Sequence, residues 1–155
     1  IYVRGDNVDL IEGDSTNGYA HAARIAFELG CDAAKTVWPG DKESFTKICQ
    51  AAPIPLLVAG GPSSGNSREI LTMVKQSLED GAVGFSTSRF LLHTVPDGRC
   101  TPGTWADLRE TKAIQQAIVD GGGVGAMFQS ANDMQTRYET ELQMFRDATD
   151  IGHQE

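Results

Sequence analysis

Long apolar runs are missing from this chain. Nothing in it approaches the roughly 20 residues that a membrane-spanning helix needs, so no membrane association is expected. Basic residues are also few. Against 21 Asp and Glu stand 13 Lys and Arg, a formal net charge of -8 with no basic stripe. This argues against a protein whose work is binding nucleic acid, because phosphate neutralisation takes clustered Lys and Arg. Cysteine is scarce: Cys31, Cys49 and Cys100 are odd in number and show no C-x-x-C spacing, which disfavours both a disulfide framework and a zinc site. A reducing, cytoplasmic setting is the expectation that follows. The three histidines, His21, His93 and His153, share no spacing that suggests ligands, so no metal is expected, and no motif calls for a cofactor. No charged-then-apolar leader opens the chain. It begins with Ile1 inside an expected strand, as a processed chain or a piece of a longer one would.

What the 155 residues do contain is enough apolar material, 40%, for one α/β domain spanning 1–155. A single rhythm repeats along it: short apolar run, turn, amphipathic helix. "IYVR" precedes a polar loop, after which Ala22, Ile25, Ala26 and Leu29 recur at the spacing of one helical face, and Gly30 supplies a left-handed stop. "AAKTVW" reads as the second strand. Asp41 then caps a helix with Phe45, Ile48, Cys49 and Ala52 on its inner face, and Pro53 ends it. "IPLLVAGG" is a continuous apolar run of the kind found in covered parallel strands, followed by a helix carrying Ile70, Leu71, Val74 and Leu78 and closed by Gly81. "AVGFSTS" is the fourth strand. A Pro/Gly-rich excursion from His93 to Gly103 leads to Thr104 and Asp107, spaced like a capping box, and a helix through Ile114, Ala117 and Ile118. "VGAMFQ" and a last helix through Met134, Tyr138, Leu142 and Phe145 complete the pattern.

About five βα units mean a parallel sheet with right-handed crossovers. Two arrangements fit that count: part of a TIM barrel, or an open doubly wound, flavodoxin-like sheet. Trp38, Trp105, Cys31 and Cys49 are expected to pack, with Trp38 near enough to a strand end to wall a pocket.

Within the second strand, Lys35 stands among Ala33, Ala34, Val37 and Trp38. Burying its ammonium would cost several kcal/mol unless it is paired or neutral. Desolvation favours the neutral amine, and a neutral amine is the nucleophile that forms a Schiff base with a carbonyl compound. The plainer reading is a lysine that snorkels outward or pairs with Asp32. At the end of the fourth strand, Arg89 stands where an anion could lie, although an arginine at such a loop is more often solvated. The loop "GGPSSG" matches neither Walker A nor G-x-G-x-x-G.

The first part of the chain, roughly Ile1 to Gly84, resembles the archaeal-type class I fructose-bisphosphate aldolases and their DhnA-like relatives. "IYVRG" is similar to that family's Y-P-R-G strand end, "AHAARIAFELGCDAAKT" to its A-A-R-I-A-x-E-L-G-A-D-x-x-K segment, "GDKESF" to G-D-x-x-x-F and "VAGGP" to its G-G-P loop, with order and spacing kept. The resemblance implies a TIM-barrel fold and an aldolase-like lyase, in which Lys35 is the Schiff-base lysine and Tyr2 transfers protons. It further implies that Gly60, Gly61, Ser88 and Arg89 hold the phosphate of a sugar phosphate. Val3 stands where the family has Pro, and Ser88 where it has Gly.

The second part, roughly Asp80 to Gly152, resembles the N-acyl-D-amino-acid deacylase branch of the amidohydrolases through "GAVGFSTSRFLLHTVPDGRCTPGTWADLRE" and "GGGVGAMFQSAND". That family is also a barrel and uses metals, but its H-x-H pair is absent and Gln129 stands where relatives place a histidine. The two resemblances together imply a chimera joined near 80–90. Three functions follow as expectations: a class I aldolase-type lyase, a non-catalytic scaffold built from half-barrel pieces, or, least favoured, a deacylase. Open strand edges would pair a second copy, so a homodimer is expected.

Overall fold

A computed structural model gives the architecture; it describes residues 3, 16–60, 66–95, 97–122, 126–130 and 138–152. In chain order these form α1 (Thr16–Glu28), β1 (Ala34–Thr36), α2 (Lys42–Ala51), β2 (Leu56–Ala59), α3 (Ser67–Glu79), β3 (Gly84–Ser88), a 3-10 turn (Pro102–Trp105), α4 (Leu108–Asp120), β4 (Ala126–Ser130) and α5 (Tyr138–Gly152). The strand expected at "IYVR" and Met134 lie outside the described residues.

Local chemistry accounts for the helix ends. Asp41 caps α2 by accepting the Ser44 amide at 2.9 Å, and Asn66 caps α3 by accepting the Arg68 amide at 3.0 Å. Gly30, at φ +82°, lets α1 finish in a left-handed turn in which the Cys31 amide reaches back to the Ala26 carbonyl at 3.0 Å. Gly81, at φ +118°, does the same after α3, with Ala82 donating to the Ser77 carbonyl at 2.9 Å. The box expected between Thr104 and Asp107 is not formed. Asp107 alone caps α4, accepting the Glu110 amide at 3.0 Å, while Thr104 is buried in the 3-10 turn. Ala106, at ψ 132°, is extended, so no helix can run from Thr104 into α4.

The four strands are parallel and lie in the order β1-β2-β3-β4. A doubly wound sheet needs a switch point at which the order reverses. Among the described strands there is none, so the winding is that of a barrel segment and the flavodoxin-like alternative is set aside. With right-handed crossovers that never reverse, the connecting helices fall on one face of the sheet. That face is the core: Ala34, Leu56, Val58 and Phe85 pack against Ala23 and Ala26 of α1, Phe45 and Ile48 of α2, Val74 and Leu78 of α3, and Ile114 and Ile118 of α4.

Three surface assignments differ from expectation. The buried side of α1 is Ala22, Ala23 and Ala26, and Ile25 and Leu29 are exposed, Leu29 to 78%. Small alanines allow a close helix approach, and the larger residues of the expected stripe sit at its margin. Cys31 is exposed because the left-handed turn at Gly30 carries the chain out to the surface. Trp105 is 64% exposed in the 3-10 turn, whereas Trp38 and Cys49 pack against the core as expected.

Candidate active site

Strand alternation decides where Lys35 points. Its neighbours Ala34 and Thr36 are buried on the helix side, so Lys35, half-buried, belongs to the opposite face. Register extends that face across the sheet: Lys35 pairs with Leu57, Leu57 with Gly84, and one step further along, Ala59 pairs with Ser86. Leu57 stands directly beside the lysine on that face, with the smaller Gly84, Ala59 and Ser86 beyond it. Ser88 continues the same face four residues beyond Gly84, about 13 Å further along the strand toward its carboxyl end.

Gly60 follows β2 directly, and a side chain there would sit 3.3 Å from the Phe85 ring, so the glycine lets the backbone leave the sheet beside that phenylalanine. Tyr2 and Gly61 lie outside the described residues. The Ser88 hydroxyl lies 2.6 Å from His93 Nδ1 and accepts the Phe90 amide at 3.3 Å. Arg89 corrects its expectation. It is 3% exposed, not solvated, and its guanidinium donates to the Ala106 carbonyl just ahead of α4. Gly60, Ser88 and Arg89 thus lie at the carboxyl ends of two adjacent strands, the end of a barrel sheet where reactive groups collect, while Lys35, in the middle of β1, stands level with the start of β3.

Between β3 and α4 the chain does more than make an excursion. Thr94 and Cys100 form an antiparallel bridge, Val95 donates to the Arg99 carbonyl at 2.8 Å, and Gly98, at φ +86°, closes the turn. The stretch "VPDGR" carries the signal for this hairpin, since Pro and Asp-Gly in succession are turn residues. The hairpin returns through Gly103, where a Cβ would meet the Thr87 hydroxyl and sit 3.0 Å from the Ser88 carbonyl. Only a glycine lets the chain close over the end of β3 and cover Arg89.

Charges near the start of α4 are set by their neighbours. The Glu110 amide and the Arg109 guanidinium hold Asp107 below the usual carboxylate range. Burial, then the nearby Asp107, push Glu110 up, with Arg89 acting in the opposite sense. A 360 Å³ cleft lies between the first turns of α3 and α4, lined by Ser67, Ile70, Leu71, Glu110 and Ile114 among others. Its lining comes from the helix layer and does not include Lys35. Among the described residues no group of three or more His, Cys, Asp or Glu is placed to hold a metal ion, and no helix is long and apolar enough to cross a membrane.

Parallel strands wound in one direction, with helices on one face only, define a segment of a barrel-type α/β protein. Residues 1–92 match the DeoC/LacD family aldolase profile, more than half of the chain, and the chain belongs to that family. It is 34% identical over 121 residues to the 2-amino-3,7-dideoxy-D-threo-hept-6-ulosonate synthase of Halobacterium salinarum, covering 78% of this chain and 44% of the relative. It is 37% identical over 89 residues to the class 1 fructose-bisphosphate aldolase of Thermoproteus tenax, covering 57% and 33%. A solved archaeal fructose 1,6-bisphosphate aldolase superposes with a TM-score of 0.55 at 30% identity, covering 77% of this chain and 42% of that one. The chain therefore spans less than half the length of these relatives. Wherever the 121-residue similarity starts, it reaches at least Gly121, so the aldolase likeness runs well past Gly84.

Proposed function

We propose that this chain carries the Schiff-base site of a class I aldolase-type lyase acting on a phosphorylated ketose or a related carbonyl compound. The observation that supports it most is the placement of Lys35 on the sheet face away from the helices, in a chain of an aldolase family. Lys35 Nζ attacks the carbonyl carbon, the carbinolamine loses water, and the resulting iminium draws in the electron pair of the C–C bond that breaks, while the hydroxyl on the departing carbon gives up its proton and that fragment leaves as an aldehyde. The enamine left on the lysine takes up a proton, and water then releases the ketone. Tyr2 moves the protons in this reading. The backbone at Gly60 and Gly61 and the hydroxyl of Ser88 take the phosphate, while Arg89, held on the Ala106 carbonyl, positions the covering loop. The three free cysteines suit a reducing, cytoplasmic compartment, and pairing of strand edges suits a homodimer.

The distance of about 13 Å along the sheet between the levels of Lys35 and Ser88 favours one second reading: a non-catalytic scaffold built from half-barrel pieces, whose lysine no longer reacts. Sodium borohydride trapping with dihydroxyacetone phosphate separates the two. A reduced adduct mapped to Lys35 and absent from Lys35→Ala supports the lyase. An unmodified mass on a chain folded by circular dichroism refutes it and leaves the scaffold.

A further inference from the structure

The tip of the hairpin between β3 and α4 holds a peptide bond whose chemistry the reaction above does not use. Asp97 is followed by Gly98, and a side-chain carboxyl next to a nitrogen that no Cβ shields can close a succinimide ring with it. In that step the Gly98 nitrogen bonds to Asp97 Cγ, a Cγ–O bond breaks, and one water leaves with the amide proton. Water then opens the ring between the Asp97 main-chain carbonyl carbon and the Gly98 nitrogen, so that the backbone runs on through the side chain with an extra methylene. The mass is unchanged, and the residue has become isoaspartyl. Asp-Gly also occurs at Asp80 and Asp120, but those pairs end α3 and α4, whereas Asp97 and Gly98 are exposed on the hairpin.

Both reacting groups are engaged in the fold. Gly98 donates its amide to the Val95 carbonyl at 2.8 Å, and the Val95 amide returns to the Arg99 carbonyl at 2.8 Å, which ties the nitrogen into the turn. Asp97 Oδ1 accepts the Arg99 amide at 3.1 Å, while Oδ2 accepts Arg99 Nε at 2.8 Å and stands 2.6 Å from Arg99 Nη2. These bonds from Arg99 hold the carboxyl below the usual carboxylate range, and an ionised carboxylate gives up an oxygen less readily than the neutral acid. We infer that Asp97–Gly98 is a backbone-isomerisation site restrained by the folded hairpin, with the Arg99 side chain and the Val95 carbonyl as its two restraints. An added methylene there shifts the register of the Val95–Arg99 pair and of the Thr94–Cys100 bridge, and the same hairpin returns through Gly103 onto Thr87 and Ser88. None of this needs Lys35 to react.

The test incubates the full chain near neutral pH, folded in buffer or unfolded in urea, and follows isoaspartate in the peptide that spans Asp97 by mapping and by enzymatic methyl transfer. The folded chain is expected to isomerise there about tenfold more slowly than the unfolded one, because the reaction waits for local opening of the hairpin. Arg99→Ala should raise the folded rate about threefold, the scale of one exposed ion pair, and leave the unfolded rate unchanged. Arg99→Lys, which returns a cation without the planar fork, should fall between the two. Circular dichroism of each variant checks that the fold is kept. Equal rates for the folded and unfolded chain overturn the inference. A folded rate that Arg99→Ala leaves unchanged, or a rise of the same size in both states, overturns it as well.

Discussion

Trp38 donates its indole N–H to the Asp80 carboxylate at 3.0 Å, joining the residues that follow β1 to the cap of α3 across 42 positions of sequence. Asp80→Ala is expected to lower the free energy of unfolding by about 1 kcal/mol, the ordinary net worth of such a bond. The chain has two tryptophans, so urea unfolding followed by fluorescence in a Trp105→Phe background reports on Trp38 alone. An unchanged midpoint would show that the contact carries no stability.

Lys35→Arg keeps a cation in the middle of β1 but replaces the amine with a guanidinium that stays protonated and does not form an imine. After borohydride and dihydroxyacetone phosphate its intact mass should be that of the untreated chain. A retained adduct would move the reactive amine to another lysine.

Gly121 lies where α4 passes α3. A Cβ on it would stand 2.8 Å from Leu78 Cβ and 2.8 Å from the Lys75 carbonyl, both on α3. Because backbone cannot step aside as a side-chain tip can, Gly121→Ala should cost about 1–3 kcal/mol. In urea the midpoint should fall with little change in slope, as expected when stability changes and exposed area does not.

Several carboxylates are held below their ordinary range by partners made only on folding: Asp41 by the Ser44 amide, Asp107 by the Glu110 amide, and Asp147 by Lys112 at 2.8 Å and Gln143 at 2.6 Å. A carboxylate whose folded value is depressed stabilises the fold above its unfolded value, near pH 4, and loses that contribution as pH falls through the folded value. The melting temperature should therefore be flat near neutrality and drop below about pH 4. Asp107→Asn, which keeps an oxygen for the cap but does not titrate, should flatten part of that acid limb.

Much of the local structure was legible in the residues. Asp41 and the glycines at 30 and 81 end helices through chemistry confined to one turn, and the spacing of Phe45 and Ile48 or Ile114 and Ile118 names a buried face directly. The reach of Lys35 toward the inner face follows from simple alternation with Ala34 and Thr36. Strand order was not legible, because both barrel and doubly wound sheets ask the same apolar bulk of each strand. Nor was the burial of Arg89, which depends on Gly103 bringing a distant loop onto Thr87 and Ser88. The tight alanine side of α1 was misread for a related reason: Ile25 and Leu29 have the right period, but the neighbouring elements admit only the smaller residues.

The order β1-β2-β3-β4 also bears on how the chain comes together. Each strand docks beside the one made just before it, and none must wait for a partner from further along. A chain emerging from synthesis can therefore add its βα units one at a time, always extending the same growing edge. At every stage the growing edge presents a row of unpaired backbone groups, so the time between successive units adds to its exposure to aggregation.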